Sequence, residues 1–508
     1  MNSAEGAGPK ARWLIALTVM LPTILDVLDR TIVNVALPDM MGALGASADQ
    51  ITWVLTSYIV ASAIVMPLTG YLVERVGQRT LLLVSVGGFV ACSGLCGMST
   101  SLDAMVILRT FQGLFGASLI PLSQSLMIDT YPKEERGKAM AIYGLGIMVA
   151  PVLGPTIGGY LTETASWRWV FYINVPVGAL AFVMAARVIP ARPGRDVRTD
   201  WTGLALVTLG IGGMQFALDR GNDEDWFASN LILASATISA VAIAIFIVRG
   251  WRKRDNIVNL RLFKDRNFAS ATVLIGVVGM GLYGTMVALP LLLERLLGYP
   301  PMETGLVMAP RGIASAVAMM VVGRLVPRID PRKIIALGIL LSTAATAFMA
   351  GYNLEISAAY IIWPGVIQGI GLGFIFVPLT VVAYESLPPE ASASAAGVFS
   401  LIRTLGGSIG ISVVSTVIVR GTQANWNRLG GHVSPFNPDL PAWLGAQGLS
   451  LQDPEAIARL AGELARQAEM LAYVGAFHMI SLFFLCMLPL AFLAQRPPPT
   501  ARVAGPGH

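Results

Sequence analysis

The sequence predicts an all-α integral membrane protein of about fourteen transmembrane helices, and three observations predict it. Hydrophobic residues make up 55% of the 508 and charged residues 13%, a balance that belongs to chains solvated by lipid. Apolar runs long enough to cross roughly 30 Å of hydrocarbon fall at 13–37, 51–72, 80–98, 104–128, 138–161, 168–189, 201–218, 229–249, 269–293, 304–326, 333–351, 358–384, 395–419 and 472–494. The Lys and Arg lie between these runs and favour one side. With the N-terminal tail (1–12) cytoplasmic, the even-numbered connections and both tails hold about 24 of the 35, the bias expected of cytoplasmic loops.

The connections follow the same logic. The stretches 187–198 and 249–266 are basic, whereas LDRGNDEDW at 218–226 is acidic and reads as outside. Lys10 and Arg12 precede the first run, but that run is too long for a signal peptide, carries two Asp and lacks a small-residue cleavage site, so it is expected to stay as the first span. A net charge of +5 without a basic face or arm gives no support for nucleic acid. Cys92, Cys96 and Cys486 lie inside apolar runs with neither disulfide nor metal-ligand spacing. One connection is unusually long. Residues 420–471 carry Trp426, SPFNP at 434–438, Trp443 and a helical-looking stretch at 453–471, read as an outer cap or a partner-docking element.

Two carboxylates interrupt the first run. Asp26 and Asp29 stand three positions apart, neighbours on one helical face with Asp29 about one turn further outward. A charged side chain near the bilayer centre costs roughly 2.5 to 3.5 kcal/mol on insertion scales, so such a residue faces a protein interior or a water path and is functional by default. Arg30 follows Asp26 by four positions, the favourable order for an intrahelical ion pair. On that reading Arg30 neutralises Asp26, and Asp29 is left to carry the proton.

The local strings then become specific. LDRTIVNVALP at 28–38, GYLVERVGQR at 70–79, LRTFQGLFGAS at 108–118 and APVLGPTIGG at 150–159 resemble, in order, motifs of the major facilitator superfamily, the last two those of its drug/proton antiporter branch. WRWVFYINVPVG at 167–178, LDRGNDEDWF at 218–227, NLRLFKDRNF at 259–268 and the outer loop with FNP are similar to the fourteen-span subgroup, most closely to EmrB-type multidrug exporters. The resemblance covers nearly the whole chain. It implies the major facilitator fold: two six-helix bundles around a central cavity, with two inserted helices between them. On that division 13–189 is the N-terminal bundle, 190–268 the inserted pair with basic flanks, 269–494 the C-terminal bundle with the loop 420–471, and 1–12 and 495–508 are cytoplasmic tails.

The resemblance also implies roles. Arg109, with Gln112 and Gly113, matches the buried arginine thought to lie near the first-helix acid and to tune its protonation; the alternative is an anchor reaching the outer headgroups. Gly70, Glu74, Arg75, Gly77 and Arg79 match the loop that latches the outward-facing state, with Glu74 at a usual Asp and Gln78 at a usually basic position. Pro151, Gly154, Pro155, Gly158 and Gly159 match the antiporter motif, a hinge or a seal against ion leak. Gln112, Tyr143, Tyr283, Met286, Arg311, Phe374 and Arg403 are candidates for the cavity, with Phe111 and Phe376 beside them. Arg311 and Arg403 either line it or lie near a span end and bind lipid phosphate. Asp129, near the inner end of its run, reads as a solvated carboxylate.

No GxxxxGK[ST] string is present, so no cofactor is expected and a proton gradient is the expected energy source. The expected function is multidrug efflux: export of hydrophobic or cationic toxic compounds in exchange for protons by alternating access, from a bacterial inner membrane with both termini cytoplasmic. The runner-up is proton-coupled export of one endogenous metabolite such as a siderophore or fatty acid. A polytopic membrane enzyme is less expected, because it needs a convergent His/Ser/Cys/Asp set. The resemblance further implies an EmrA-type periplasmic adaptor and an outer-membrane channel, with 420–471 as the adaptor contact.

Overall fold

Hydrocarbon leaves no unpaired backbone group tolerable, so an apolar run crosses as a helix. The computed structural model describes residues 9–253, 256–433, 437, 439–445, 450 and 454–492, and among them fourteen helices are long and apolar enough to span a membrane. They are α1 (Lys10–Leu44), α2 (Asp49–Val76), α3 (Gln78–Met98), α4 (Leu102–Thr130), α5 (Lys133–Thr164), α6 (Trp169–Val188), α7 (Trp201–Arg220), α8 (Asn230–Arg252), α9 (Arg266–Leu296), α10 (Met302–Leu325), α11 (Pro331–Met349), α12 (Ala358–Glu385), α13 (Pro389–Gly430) and α14 (Glu455–Ala491). The expected C-terminal tail, residues 1–8 of the N-terminal tail, Asp453 and all of SPFNP except Asn437 lie outside the described residues. An even number of crossings returns the chain to the side where it began; that side is the terminal end here, and the opposite side the distal end.

The packing repeats. In the first half α1 packs on α4, α5 and α6, α2 on α4, and α3 on α4 and α6; in the second half the same pairings recur eight helices later, α9 on α12, α13 and α14, α10 on α12, and α11 on α12 and α14. Each six-helix bundle is therefore one copy of a parallel repeat, and α7 and α8 lie outside it. Close helix approach rests on small residues. A Cβ on Gly113 of α4 would stand 2.5 Å from the Tyr58 carbonyl oxygen of α2, so only glycine permits that crossing.

The two bundles are fastened at the terminal end. There Ser392 at the start of α13 donates to Asp129 of α4 (2.8 Å), Arg136 of α5 donates to the Tyr384 carbonyl of α12 (3.4 Å), and Gly137 of α5 lies against Gly323 of α10. At the distal end the inserted helix α7 stands between the bundles. Gln215 donates to Ser408 of α13 (2.7 Å), Ser412 donates to the Leu218 carbonyl (2.9 Å), and Thr56 of α2 donates to Asp219. The terminal ends of α7 and α8 are clasped by Arg249, whose two Nη groups reach the Asp200 oxygens at 2.7 and 2.6 Å; these hydrogen bonds hold the Asp200 carboxyl down at about 2.

The long connection proves to be mostly helix. One continuous helix runs over Ser392–Gly430 and another over Pro454–Cys486, the latter about 50 Å long at about 1.5 Å per residue. Twenty or so residues suffice to cross, so both project beyond the distal face as an antiparallel pair, tied where Asn425 donates to the Ala468 carbonyl at 3.3 Å. The estimated span limits at 419 and 472 thus fall inside helices. Polar composition ended the apolar runs there without ending the helices. A short helix, Asp439–Gly445, packs Leu440 and Leu444 on Ala456 and Leu460 near the start of α14.

Candidate functional site: a buried charge network in the first bundle

Five helices of the first bundle converge on the two carboxylates of α1, and both acids are fully buried. Asp29 receives Arg109 Nη1 of α4 on Oδ2 at 2.6 Å, and on Oδ1 it receives Gln112 Nε2 at 3.0 Å and Asn174 Nδ2 of α6 at 2.8 Å. Arg109 is 1% exposed, donates from Nε to the Val54 carbonyl of α2 (3.1 Å) and from Nη1 to Gln112 Oε1 (2.9 Å), and lies 4.4 Å over the Tyr58 ring. Asn174 also donates to Ser93 of α3 at 3.1 Å. This depth excludes the headgroup-anchor alternative for Arg109.

Asp26 has its own partners. Arg30 donates from Nε to Oδ2 at 3.1 Å and from Nη2 to Oδ1 at 3.3 Å, Tyr58 of α2 donates its hydroxyl to Oδ1, and Arg30 Nη2 donates on to Ser62 at 3.0 Å. The Arg30–Asp26 pair is formed as the four-residue spacing requires. Both acids are paired: Arg109 and two amides surround Asp29, and Arg30 holds Asp26. The sequence reading left Asn174 and Tyr58 out of the site. Asn174 had a signal, an amide inside an apolar run; Tyr58 had none, since an aromatic residue in a span is ordinary packing.

The antiporter motif lies beside this network. Pro151 and Pro155 are inside α5, and Gly154 and Gly158 face α1 at Thr31 and Ile32, a turn beyond Asp29; a Cβ on Gly158 would meet Ile32 Cγ1 at 2.9 Å. Gly159 stands at the edge of the same contact, where a Cβ would lie 4.0 Å from Val35 Cγ1. The spacing lets α5 bear on the helix that carries both acids.

The loop motif divides its contacts between its own half and the seam with the second bundle. Gly77 adopts φ 84°, a conformation that favours glycine, and Gly70 lies against Ser394 of α13. Arg75 binds Tyr71 (2.6 Å) and Thr199 (2.7 Å), and Arg79 donates to the Ala186 carbonyl, so neither arginine reaches the other bundle. Glu74 is exposed, and its side chain makes no hydrogen bond or ion pair among the described residues. The tie across the bundles runs instead from Gln78 to Asp129 (3.1 Å) and on to Ser392. Asp129 is therefore not the solvated carboxylate the sequence suggested: its position near a span end is also the seam between bundles.

The cavity candidates separate. Tyr283, Arg403 and Phe376 come together with Ile147 and Met148 around a cavity of about 20 Å³ between the bundles, room for about one water. Gln112 belongs to the Asp29 network, Tyr143 donates to the Ile120 carbonyl within the first bundle, Phe374 packs its Cβ near Gly338 of α11, and Met286 packs against the second bundle's core. Phe111 is half exposed on the outer surface of α4. Arg311 is 7% exposed inside the second bundle, away from the lipid phosphates. No group of three or more His, Cys, Asp or Glu that would hold a metal occurs among the described residues.

Comparison with known proteins agrees with this architecture. The family model described as Major Facilitator Superfamily matches residues 19–411. The chain is 37% identical over 494 residues to the multidrug export protein EmrB of Escherichia coli K12, covering 95% of each, and 35% identical over 506 residues to the fatty acid resistance protein FarB of Neisseria gonorrhoeae, covering 99% of each. Among solved structures it is similar in fold to the human organic anion transporter MFSD10 (TETRAN), with a TM-score of 0.64, 14% identity, and coverage of 96% of this chain and 100% of that one. The chain is thus a multi-pass membrane transporter rather than an enzyme, and it belongs to the major facilitator superfamily, in the branch of the EmrB-type proteins.

Proposed function

We propose that this transporter exports hydrophobic or cationic toxic compounds in exchange for protons by alternating access, from a bacterial inner membrane with its terminal end in the cytoplasm. The relatives named for multidrug export support the substrate range. The observation that carries the proton step is the Asp29 network: a fully buried carboxylate held by one arginine and two amides from three other positions on two helices. A proton arriving on Asp29 replaces the charge that Arg109 pairs with. Arg109 also holds the Val54 carbonyl, so loss of the pair loosens α4 and α2 from α1 together. Release of the proton restores the clamp. Asp26, with Arg30, Tyr58 and Ser62, ties α1 to α2 one turn away and is the second candidate for the proton.

The energy comes from the gradient: about 2.3 kcal/mol per elementary charge per 100 mV of membrane potential, with the pH difference added. Proteoliposomes loaded with dye under an imposed pH gradient test the scheme. Asp29→Asn should abolish gradient-driven export while leaving dye binding in place, and an unchanged coupled rate would remove Asp29 from the mechanism. The relative named for fatty acid resistance, at 35% identity over nearly the full length, supports a second reading in which cargo includes carboxylic amphiphiles. An EmrA-type periplasmic adaptor and an outer-membrane channel fit the paired helices that project from the distal face.

A further inference from the structure

The second bundle contains a buried cation with no counter-charge among the described residues. Arg311, in the middle of α10, is 7% exposed, and both of its Nη groups are buried without a hydrogen-bond partner. No carboxylate pairs with it among the described residues. One turn along the same face Ser315 is 2% exposed and its hydroxyl is also unpartnered, and on the facing helix α12 the Gln368 carbonyl oxygen is buried and unpartnered. Gly365 and Gly369 of α12 make room for this arrangement: a Cβ on Gly365 would stand 3.7 Å from Arg311 Cβ, and Gly369 lies directly against the Arg311 carbonyl. Uncompensated buried charge is expensive, and natural interiors pair it.

The internal repeat says what is missing. Counted from the start of its helix, Gln368 of α12 stands where Gln112 stands in α4, and Thr285 of α9 stands where Asp29 stands in α1. The hydrogen bonds follow: Gln112 Nε2 donates to Asp29 at 3.0 Å, and Gln368 Nε2 donates to Thr285 at 3.1 Å. The position of Arg109 is taken by Gly365, and the guanidinium enters instead from α10, where Arg311 stands at the place of Tyr58 in α2. The second bundle has thus kept the amide and the cation of the first and replaced its carboxylate by a hydroxyl.

We propose that Arg311 and Gln368, with Ser315, form a carboxylate-binding site in the second bundle, and that an anionic amphiphile brings the carboxylate that the protein omits. The planar guanidinium presents two parallel N–H donors to both carboxylate oxygens and Ser315 offers a hydroxyl; Gln368, whose Nε2 holds Thr285 and whose unpartnered oxygen is an acceptor, meets a carboxylate only through the second hydrogen of Nε2. This rests on the transport reading above only in treating the ligand as cargo; binding itself does not depend on proton exchange.

The probe is pyrenebutyrate, compared with its uncharged amide, with binding followed by fluorescence on the full chain in nanodiscs of neutral phosphatidylcholine. Wild type should prefer the carboxylate by about tenfold or more, the size expected for a charge-assisted bidentate contact. Arg311→Gln should remove that preference while amide binding stays, and Arg311→Lys should keep part of it. If Arg311→Gln fails to fold, Ser315→Ala and Gln368→Leu should each weaken carboxylate binding alone. Equal binding of the two probes by wild type, or a preference that survives Arg311→Gln, overturns the proposal. Gradient-driven export of a cationic dye, measured separately, reports on the transport reading whichever way the binding falls.

Discussion

The two six-helix bundles share one packing scheme and differ in how they treat buried charge. In the first, each intramembrane acid has its own arginine: Asp29 with Arg109, Asp26 with Arg30. In the second, Arg311 and Arg403 are buried with no acid paired to either among the described residues, and the positions equivalent to Asp29 and Arg109 are held by Thr285 and Gly365. A repeat that keeps its helices but moves its charges divides labour. Under the proposed function, the first bundle, whose charges are paired within it, switches the proton, and the second, with a cation left unpaired, takes the ligand that completes it.

The largest expected effect exploits that contrast with one substitution made in both bundles. Arg109→Met leaves the Asp29 carboxylate buried and unpaired, which should cost about 3 to 5 kcal/mol and lower the thermal midpoint in detergent sharply. Adding Asp29→Asn to that variant should recover much of the loss, because the orphaned charge is then gone. Arg311→Met removes a charge that had no partner, so it should raise the midpoint, by up to about 3 kcal/mol in stability. If both variants fall together, the bundles do not differ as described and Arg311 is held by interactions equivalent to those of Arg109.

Much of this was legible from sequence, for physical reasons that also mark where reading failed. Span number and order follow from hydrophobic runs, because hydrocarbon permits little else. Asp26, Asp29 and Arg109 stood out because a charge in an apolar run is costly, and Arg30 was paired correctly from its four-residue spacing. Partners across helices were not legible. Asn174 reaches Asp29 from 145 positions away, and only packing brings the two together. In the loop motif the arginines bind Thr199 and the Ala186 carbonyl, while the uncharged Gln78 reaches the seam through Asp129, a partner no sequence spacing marks. The cavity candidates were the least legible, since aromatic residues carry no mark of whether they face a cavity, a neighbouring helix or lipid; Phe374 packs by Gly338 and Phe111 is half exposed. Helix ends beyond the bilayer were missed because apolarity stops at the membrane surface and helicity does not.

The seam between the bundles gives the smallest effect and the most direct link from the comparison to motion. Asp129 accepts from Gln78 on its own side and from Ser392 on the other, so one carboxylate joins the loop of the first bundle to the first turn of α13. Ser392→Ala removes only the bond that crosses. A single hydrogen bond to a charged group is worth about 1.5 to 3 kcal/mol when fully buried and nearer 1 at this partly exposed site, so the state fastened at the terminal end should lose about fivefold in population relative to the open one. Distances between spin labels placed on the terminal ends of α5 and α10 would report the shift as a growing long-distance component. Gln78→Ala acts within the first bundle and should move that distribution less, because Asp129 keeps its bond to Ser392. Equal shifts from the two variants would mean that Gln78 fixes the Asp129 rotamer and acts on the second bundle through this carboxylate.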